Sequence, residues 1–380
     1  MAMSESISYG TESTEMAAYC EEGTARALGL GNRGPIRWNS NGQLHPDILD
    51  AYRAVGFYVF TDVLDKAELD DLERDLHDVL ARAPTSRHSN VDVLNRPALG
   101  SELQGKNLGW VAPLSDPLGG TQRSAGRHPV KMYEPDAPSQ APEAVLQIVL
   151  GSLQFSDAHL RLYGHPALLR VAEAINGEDF VPFNEAIWIK HPFLGGSVAW
   201  HQDGTTQWHR ADFDEDTHGF NFMAQLYGCD AANGLWVLPG SHVGQADIPA
   251  LCEASGSERL KDAVPLICAP GDVAICNRQA VHGSFANTSP NPRVTFNFGF
   301  HRRSSVLGVT GNGIHSEEAI YDDARIAERS KVIGYAISAR AARFPQETPY
   351  DYLPQAGQRF DWNDDARADI SDYNLLDLGI

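Results

Sequence analysis

Residues 293–302, RVTFNFGFHR, alternate cleanly. On a strand, Val294, Phe296, Phe298 and Phe300 share one face, and Arg293, Thr295, Asn297 and Gly299 share the other. The aromatic face requires a core. The second face carries a cation and small polar groups, which suits a cavity wall, and an arginine held there presents a planar fork matched to a carboxylate. Further short apolar runs lie beyond Phe180, at 183–190, 197–203, 220–227, 235–238, 264–268 and 272–276, with turn dipeptides at Pro239-Gly240 and Pro270-Gly271. Strands this short, so spaced, predict a β-sandwich or barrel.

The flanks read differently. Residues 1–45 are rich in Gly, Ser, Glu and Asn with little periodicity, and predict an irregular arm. Asp65 with Glu68 forms a capping-box pattern, and Leu69, Leu72, Leu76, Val79 and Leu80 follow at helical spacing, predicting a helix over 66–82. Residues 84–142 are loop-rich, and a connection of that length is often functional. Trp110, Arg123, Arg127, His128, Lys131 and Tyr133 within it are candidates for a substrate entrance. Helices are predicted over 141–155 and 166–175, the second stopping at Asn176-Gly177. Two helical patches at 316–329 and 331–340 precede a tail with six aspartates and one arginine, read as a solvated or wrapping segment.

The formal net charge of −20, with no Lys/Arg-rich run to offset it, excludes nucleic acid and anionic membrane surfaces as natural partners. Five cysteines without C-x-x-C spacing indicate neither a disulfide frame nor a zinc site. No apolar run approaches a membrane span, and the N-terminus lacks the basic start and apolar stretch of a signal peptide, so a cytoplasmic location is expected.

His201 and Asp203 are one residue apart in the strand-like stretch SVAWHQDGTTQW, so an imidazole and a carboxylate project side by side. They supply two of the three ligands of a two-His-one-carboxylate iron site. Among 14 histidines and 50 acidic residues such a pair arises by chance, and a third ligand is needed from elsewhere. His282, upstream of Arg293, is the best candidate.

Four motifs taken together carry a resemblance. H-Q-D at 201–203, N-G-x-x-x-x-P-G-S-H at 233–242, P-G-D at 270–272, and H-G-S-x-x-N from 282 with Arg293 downstream resemble the phytanoyl-CoA dioxygenase family, Fe(II)- and 2-oxoglutarate-dependent oxygenases. GFYVFTDVLDKAELDDLERDL, from residue 56, is similar to that family's N-terminal strand and helix. The resemblance spans roughly 50–305. It implies an α+β, mainly β fold: a double-stranded β-helix (jelly roll) core over about 180–305, within a dioxygenase domain of 46–305. Helices flank that core on both sides, and residues 306–380 form a helical extension and acidic tail.

The resemblance also implies roles. His201, Asp203 and His282 match the iron ligands, Arg293 the partner of the distal 2-oxoglutarate carboxylate, and Ser284 a hydroxyl supporting that carboxylate. Gln225 is a further expected co-substrate contact. Asn233-Gly234 and Pro239–His242 match structural signatures, so His242 is expected to pack and not to ligate. Gln207, Trp208, Asn184 and Trp188 are the substrate-contact candidates. The implied reaction consumes dioxygen and 2-oxoglutarate, releases succinate and carbon dioxide, and most simply hydroxylates a small molecule. Asp203 argues against halogenation, since related halogenases carry a small residue there. Two rivals remain: a cupin-like metalloenzyme without 2-oxoglutarate, and a non-catalytic jelly-roll binding protein. Arg293 separates the first reading from both. Substrate and oligomeric state are not legible.

Overall fold

The computed structural model describes residues 8–203, 219–312 and 318–378. The chain begins with α1 (Ser13–Gly29), β1 (Arg33–Gly34), α2 (Pro46–Val55), β2 (Phe57–Phe60) and α3 (Lys66–Arg82). After a long irregular stretch come β3 (Leu108–Val111), β4 (Val145–Leu150), α4 (Asp157–Tyr163) and α5 (Pro166–Asn176). The central strands are β5 (Val181–Lys190), β6 (Val198–His201), β7 (Gly219–Gln225) and β8 (Trp236–Val237). Then follow α6 (Ile248–Ser255), β9 (Val264–Pro265), β10 (Val273–Asn277), β11 (His282–Ser284) and β12 (Arg293–His301). The chain closes with α7 (Arg303–Val306), β13 (Thr310–Asn312), β14 (Glu318–Ile320), α8 (Asp323–Arg343) and α9 (Asp364–Asp369).

The architecture is α+β. Eight strands form one sheet in the order β1-β2-β10-β7-β12-β5-β4-β3, antiparallel except for the β1–β2 pair. A four-stranded antiparallel sheet, β6-β11-β8-β9, packs against it. Met223 and Ala274 of the large sheet share a buried cluster with Val237 and Val264 of the small one. The outer face of the large sheet carries the aromatic stripe of β12. Val294, Phe296, Phe298 and Phe300 pack there against Leu160 and Tyr163 of α4, Leu169 of α5, and Ile333 and Ala336 of α8. Burying each such side chain contributes roughly 1.5–3 kcal/mol. By alternation, Arg293, Thr295 and Asn297 turn toward the small sheet. Among the described residues no helix is long and apolar enough to cross a membrane.

Helix α3 has the expected bounds and its capping box: Asp65 Oδ1 accepts from Glu68 N (2.9 Å), and Glu68 Oε2 accepts from Asp65 N (3.3 Å). Helix α5 stops at Gly177 as expected.

Three expectations need correction. The first concerns the arm, where residues 13–29 form a 17-residue helix, α1, against the outside of the small sheet. Its buried residues, Met16, Tyr19, Gly23 and Ala27, make a narrow stripe poor in aliphatics, so its periodicity is faint. Tyr19 stacks on Trp236 (centroids 4.3 Å apart), and a Cβ on Gly23 would lie 2.4 Å from the Trp236 indole. That glycine is a contact surface, not a breaker. The second correction is that 141–155 forms no α-helix, only a strand followed by a single 3-10 turn at Ser152–Gln154. VLQIVL forms β4 between β3 and β5, a run too short to tell strand from buried helix by pattern alone. The third is that α8 is a single helix started by an Asp322 cap, with Ser330-Lys331 no interruption.

The tail wraps. Asp377 is fully buried beside α8, where Arg329 Nε donates to its Oδ1 (2.8 Å). The same guanidinium donates through Nη2 to both Glu185 oxygens on β5 (2.7 and 2.9 Å). This cluster ties the C-terminus to a strand that borders the candidate site.

Candidate metal centre and co-substrate pocket

Strands β6 and β11 pair with His201 directly opposite His282. The two imidazole centroids lie 4.1 Å apart. In each ring Nδ1 bonds to the backbone carbonyl two residues earlier, His201 to Ala199 O and His282 to Ala280 O, both at 2.9 Å. A carbonyl accepts only from an N–H, so both rings carry a proton on Nδ1 and turn Nε2 toward the shared space. Asp203, two residues beyond the end of β6, faces both: Oδ1 lies 3.6 Å from His201 Nε2, and Oδ2 lies 3.9 Å from His282 Nε2. Ligand atoms from the three side chains fall within 4.8 Å of one another. Two imidazoles and a carboxylate grouped on one side are the donor types of non-haem Fe(II) sites.

Burial, then the neighbouring His282 and His128, hold the His201 pKa well below its ordinary value, so the ring is neutral, the form a metal can bind. Burial works against charge on Asp203, but Arg127, Arg278 and the two histidines outweigh it, and its carboxyl lies well below the usual carboxylate range. The carboxylate is therefore ionised and poised for a cation.

Backbone chemistry explains the motifs around these ligands. Gln202 points away from the site, its Nε2 donating to Ser241 O (3.1 Å) and Gly244 O (2.9 Å), and its Oε1 accepting from Ala246 N (2.8 Å). It pins the P-G-S-H turn behind the metal ligands. His242 is buried and bonds through Nε2 to Arg53 O (3.0 Å), the packing role expected of it. Gly283 separates His282 from Ser284 because a Cβ there would lie 3.0 Å from Val198 O and 3.1 Å from the Trp200 ring. Trp200 is fully buried and donates Nε1 to Glu258 O (2.6 Å), so it cannot yield. Gly283→Ala is expected to cost about 1–3 kcal/mol, measured by denaturant unfolding. An unchanged midpoint would show the strand can shift.

The pocket wall beyond the ligands also follows the pattern. Arg293, at one end of β12, is buried, and its Nε has no hydrogen-bond partner among the described residues. Burial lowers its pKa to about 10, still high enough to stay charged near neutrality. Ser284 follows His282 two residues on in β11, across a register shift in the pairing with β6, and its buried Oγ likewise has no partner among the described residues. A planar cation and a hydroxyl with unspent hydrogen-bonding capacity fit a carboxylate guest. Gln225 pairs in register with Thr295, but its Oε1 accepts from Thr295 Oγ1 (2.9 Å) and its Nε2 donates to Met223 O (3.2 Å). Its amide is spent within the wall.

Asn184 and Trp188 lie on β5; Trp188 is on the face opposite Ile187 and Ile189, whose side chains join the helix-covered core, and Asn184 sits where the β5–β12 register shifts. Asn184 Oδ1 is buried without a partner among the described residues, and Trp188 is half-buried. Gln207 and Trp208 lie outside the described residues. Of the six entrance candidates, two reach the ligands. Arg127 Nη1 lies 3.3 Å from Asp203 Oδ1, and the His128 ring centroid is 4.3 Å from that of His201. Lys131 instead pairs with Glu134 (2.8 Å), Tyr133 stacks on Tyr9, and Arg123 is exposed.

The sequence reading missed Arg278 and Lys190. Arg278 is buried with Nε 4.0 Å from Asp203 Oδ2, its guanidinium over the Phe183 ring. Lys190 stands opposite Arg293 in register and donates Nζ to Phe285 O. Each is a lone cation ending an apolar run, which was the available signal.

A family model for phytanoyl-CoA dioxygenase (PhyH) matches residues 52–295. The chain belongs to that family. It is accordingly an oxygenase of the non-haem iron and 2-oxoglutarate class, acting with dioxygen on a small molecule. Among solved structures the chain is similar to EctD from S. alaskensis, solved with 2-oxoglutarate and 5-hydroxyectoine. That match has 20% identity over 72% of this chain and 82% of that one, with a TM-score of 0.49. It is also similar to AviO1 from Streptomyces viridochromogenes Tue57, with 20% identity over 67% and 92% of the chains and a TM-score of 0.44. No curated protein sequence matches the chain.

Proposed function

We propose that His201, Asp203 and His282 hold Fe(II), that Arg293 and Ser284 bind the distal carboxylate of 2-oxoglutarate, and that the enzyme hydroxylates a small molecule. In this reading the two packed sheets are the double-stranded β-helix of the family, and residues 46–305 form the catalytic domain. The observation that carries the proposal is the opposed His201–His282 pair, with matched Nδ1 bonds and Asp203 facing both Nε2 atoms.

Bound iron and 2-oxoglutarate supply oxidative decarboxylation to succinate and carbon dioxide, coupled to oxidation of a C–H bond. The protein supplies orientation and a dry, charged enclosure. The Ala199 and Ala280 carbonyls hold each Nδ1–H and so orient both rings with Nε2 toward the metal position. Asp203 contributes the anionic ligand, and its presence leaves no place for a halide, which favours hydroxylation. Arg293 and Ser284 orient the co-substrate from its far end. Gln225 acts indirectly, holding Thr295 and the β7–β12 junction. Asn184 and Trp188 are the substrate-side residues of the wall.

Supplying Fe(II), ascorbate and 2-oxoglutarate in air should yield succinate, slowly without a prime substrate and faster with one. A chelator, or Asp203→Ala, should bring it to background. Succinate formation that survives Asp203→Ala would overturn the ligand assignment.

A further inference from the structure

The backbone just before Arg127 is unusual. Ser124 (φ 51°, ψ 43°), Ala125 (φ 56°, ψ 28°) and Gly126 (φ 72°) follow one another in the left-handed region. Glycine enters it freely, whereas the other two each cost on the order of 1 kcal/mol. Strain of this kind persists where the surroundings hold it, and it clusters at ligand clamps. Here the root of the segment is fixed by Asp116, a buried carboxylate. Its Oδ1 accepts from Gly119 N (2.9 Å), and its Oδ2 accepts from Met132 N (2.8 Å). Gly120 N also donates to His128 O (2.9 Å). The strained turn thus projects Arg127 and His128 from a rigid base.

Both side chains arrive at the ligand set. His128 is buried against His201, with its Nδ1 unpartnered among the described residues. Arg127 pairs with Asp203 while its side chain stays 33% exposed, and its Nε takes no partner among the described residues. The second arginine at Asp203, Arg278, is 2% exposed and packed on Phe183, so it serves the interior. Among the described residues, two guanidiniums therefore face one carboxylate. A divalent ion adds further positive charge, and a dianionic co-substrate cancels only part of the sum. A carboxylate cannot give its full charge to a dication and a guanidinium together, so metal loading frees Arg127 for a second anion.

We propose that Arg127 reads an anionic group, a carboxylate or a phosphate, on the prime substrate, and that residues 123–128 form the specificity segment of the site. The proposal rests on His201, Asp203 and His282 being the iron ligands.

The test uses the full chain loaded anaerobically with Fe(II) and saturating 2-oxoglutarate. The probes are hexanoate, hexyl phosphate and the neutral hexanamide; the readouts are the melting temperature and the visible charge-transfer band. One or both anions should raise the melting temperature and perturb the band, and which one does so separates carboxylate from phosphate recognition. Hexanamide should do neither. Arg127→Gln should weaken the anion response about 10- to 100-fold, the worth of a hydrogen-bonded charge pair, and Arg127→Lys should retain part of it. The 2-oxoglutarate titration should be unchanged in Arg127→Gln. The proposal is overturned if hexanamide acts as well as the anions, if neither anion acts, or if Arg127→Gln responds like the wild type. It is also overturned if that variant loses 2-oxoglutarate affinity, which would make Arg127 a co-substrate residue. Absence of the band in the wild type would instead sink the iron assignment, and this proposal with it.

Discussion

Arg329→Met is expected to destabilise the protein by about 3–5 kcal/mol, measured by denaturant unfolding at pH 8. Arg329 is fully buried between Glu185 and Asp377, bonded to both, with the Tyr373 ring beneath it. Removing the cation leaves two carboxylates in an apolar setting, a far larger penalty than losing a surface pair. With all three groups ionised the cluster already carries one excess negative charge. Burial, opposed by Arg329 but reinforced by Asp377, raises the Glu185 pKa to about 7. The sign follows from proton counts. Between the ordinary value of 4.5 and about 7 the folded state holds a proton that the unfolded chain has lost, so this group's contribution to stability declines as pH rises through that window. Lowering the pH should therefore rescue part of the Arg329→Met deficit. A penalty that grows toward acid would contradict the account.

Arg293→Met should separate binding from folding. Affinity for 2-oxoglutarate should fall by at least ~30-fold, the equivalent of about 2 kcal/mol for truncating one partner of a buried charge pair. Fe(II) binding by the histidines should persist. The unliganded variant should melt no lower than the wild type, because a buried guanidinium with a bare Nε is costly to enclose. That combination marks a residue kept for its ligand and not for the fold. A variant that binds 2-oxoglutarate normally would show that Arg293 serves structure alone.

The juxtaposition of His201, Asp203 and His282 was legible because strand geometry converts the H-x-D spacing into direction and the motif resemblance supplied the third residue. His201-x-Asp203 gives one edge, and the alternation after Arg293 places its cation on the inner face. The H-G-S motif sets Ser284 two residues after His282 in β11. Helix α3 was legible for a similar reason, with a capping box and a leucine stripe agreeing. Helix α1 was not, since its buried stripe includes a glycine and an alanine and gains its meaning from Trp236. Strand β4 was misread because five apolar residues in a run of six fit two periods equally. The contribution of Arg127 and His128 depends on three left-handed residues and on Asp116, none of which has a periodic signature. Arg278 and Lys190 were hidden as single cations in apolar runs, where a reader of patterns sees a boundary and the fold makes a wall.

The central claim is that one Fe(II) binds at His201, Asp203 and His282 and chelates 2-oxoglutarate beside Arg293. Its most direct test is anaerobic titration of the metal-free protein with Fe(II) in the presence of 2-oxoglutarate, following the visible metal-to-ligand charge-transfer band. The account predicts a band that saturates at one iron per chain in the wild type and is absent in His282→Ala, with that variant's secondary structure intact. A wild type without the band, or a His282→Ala variant that keeps it, would contradict the account.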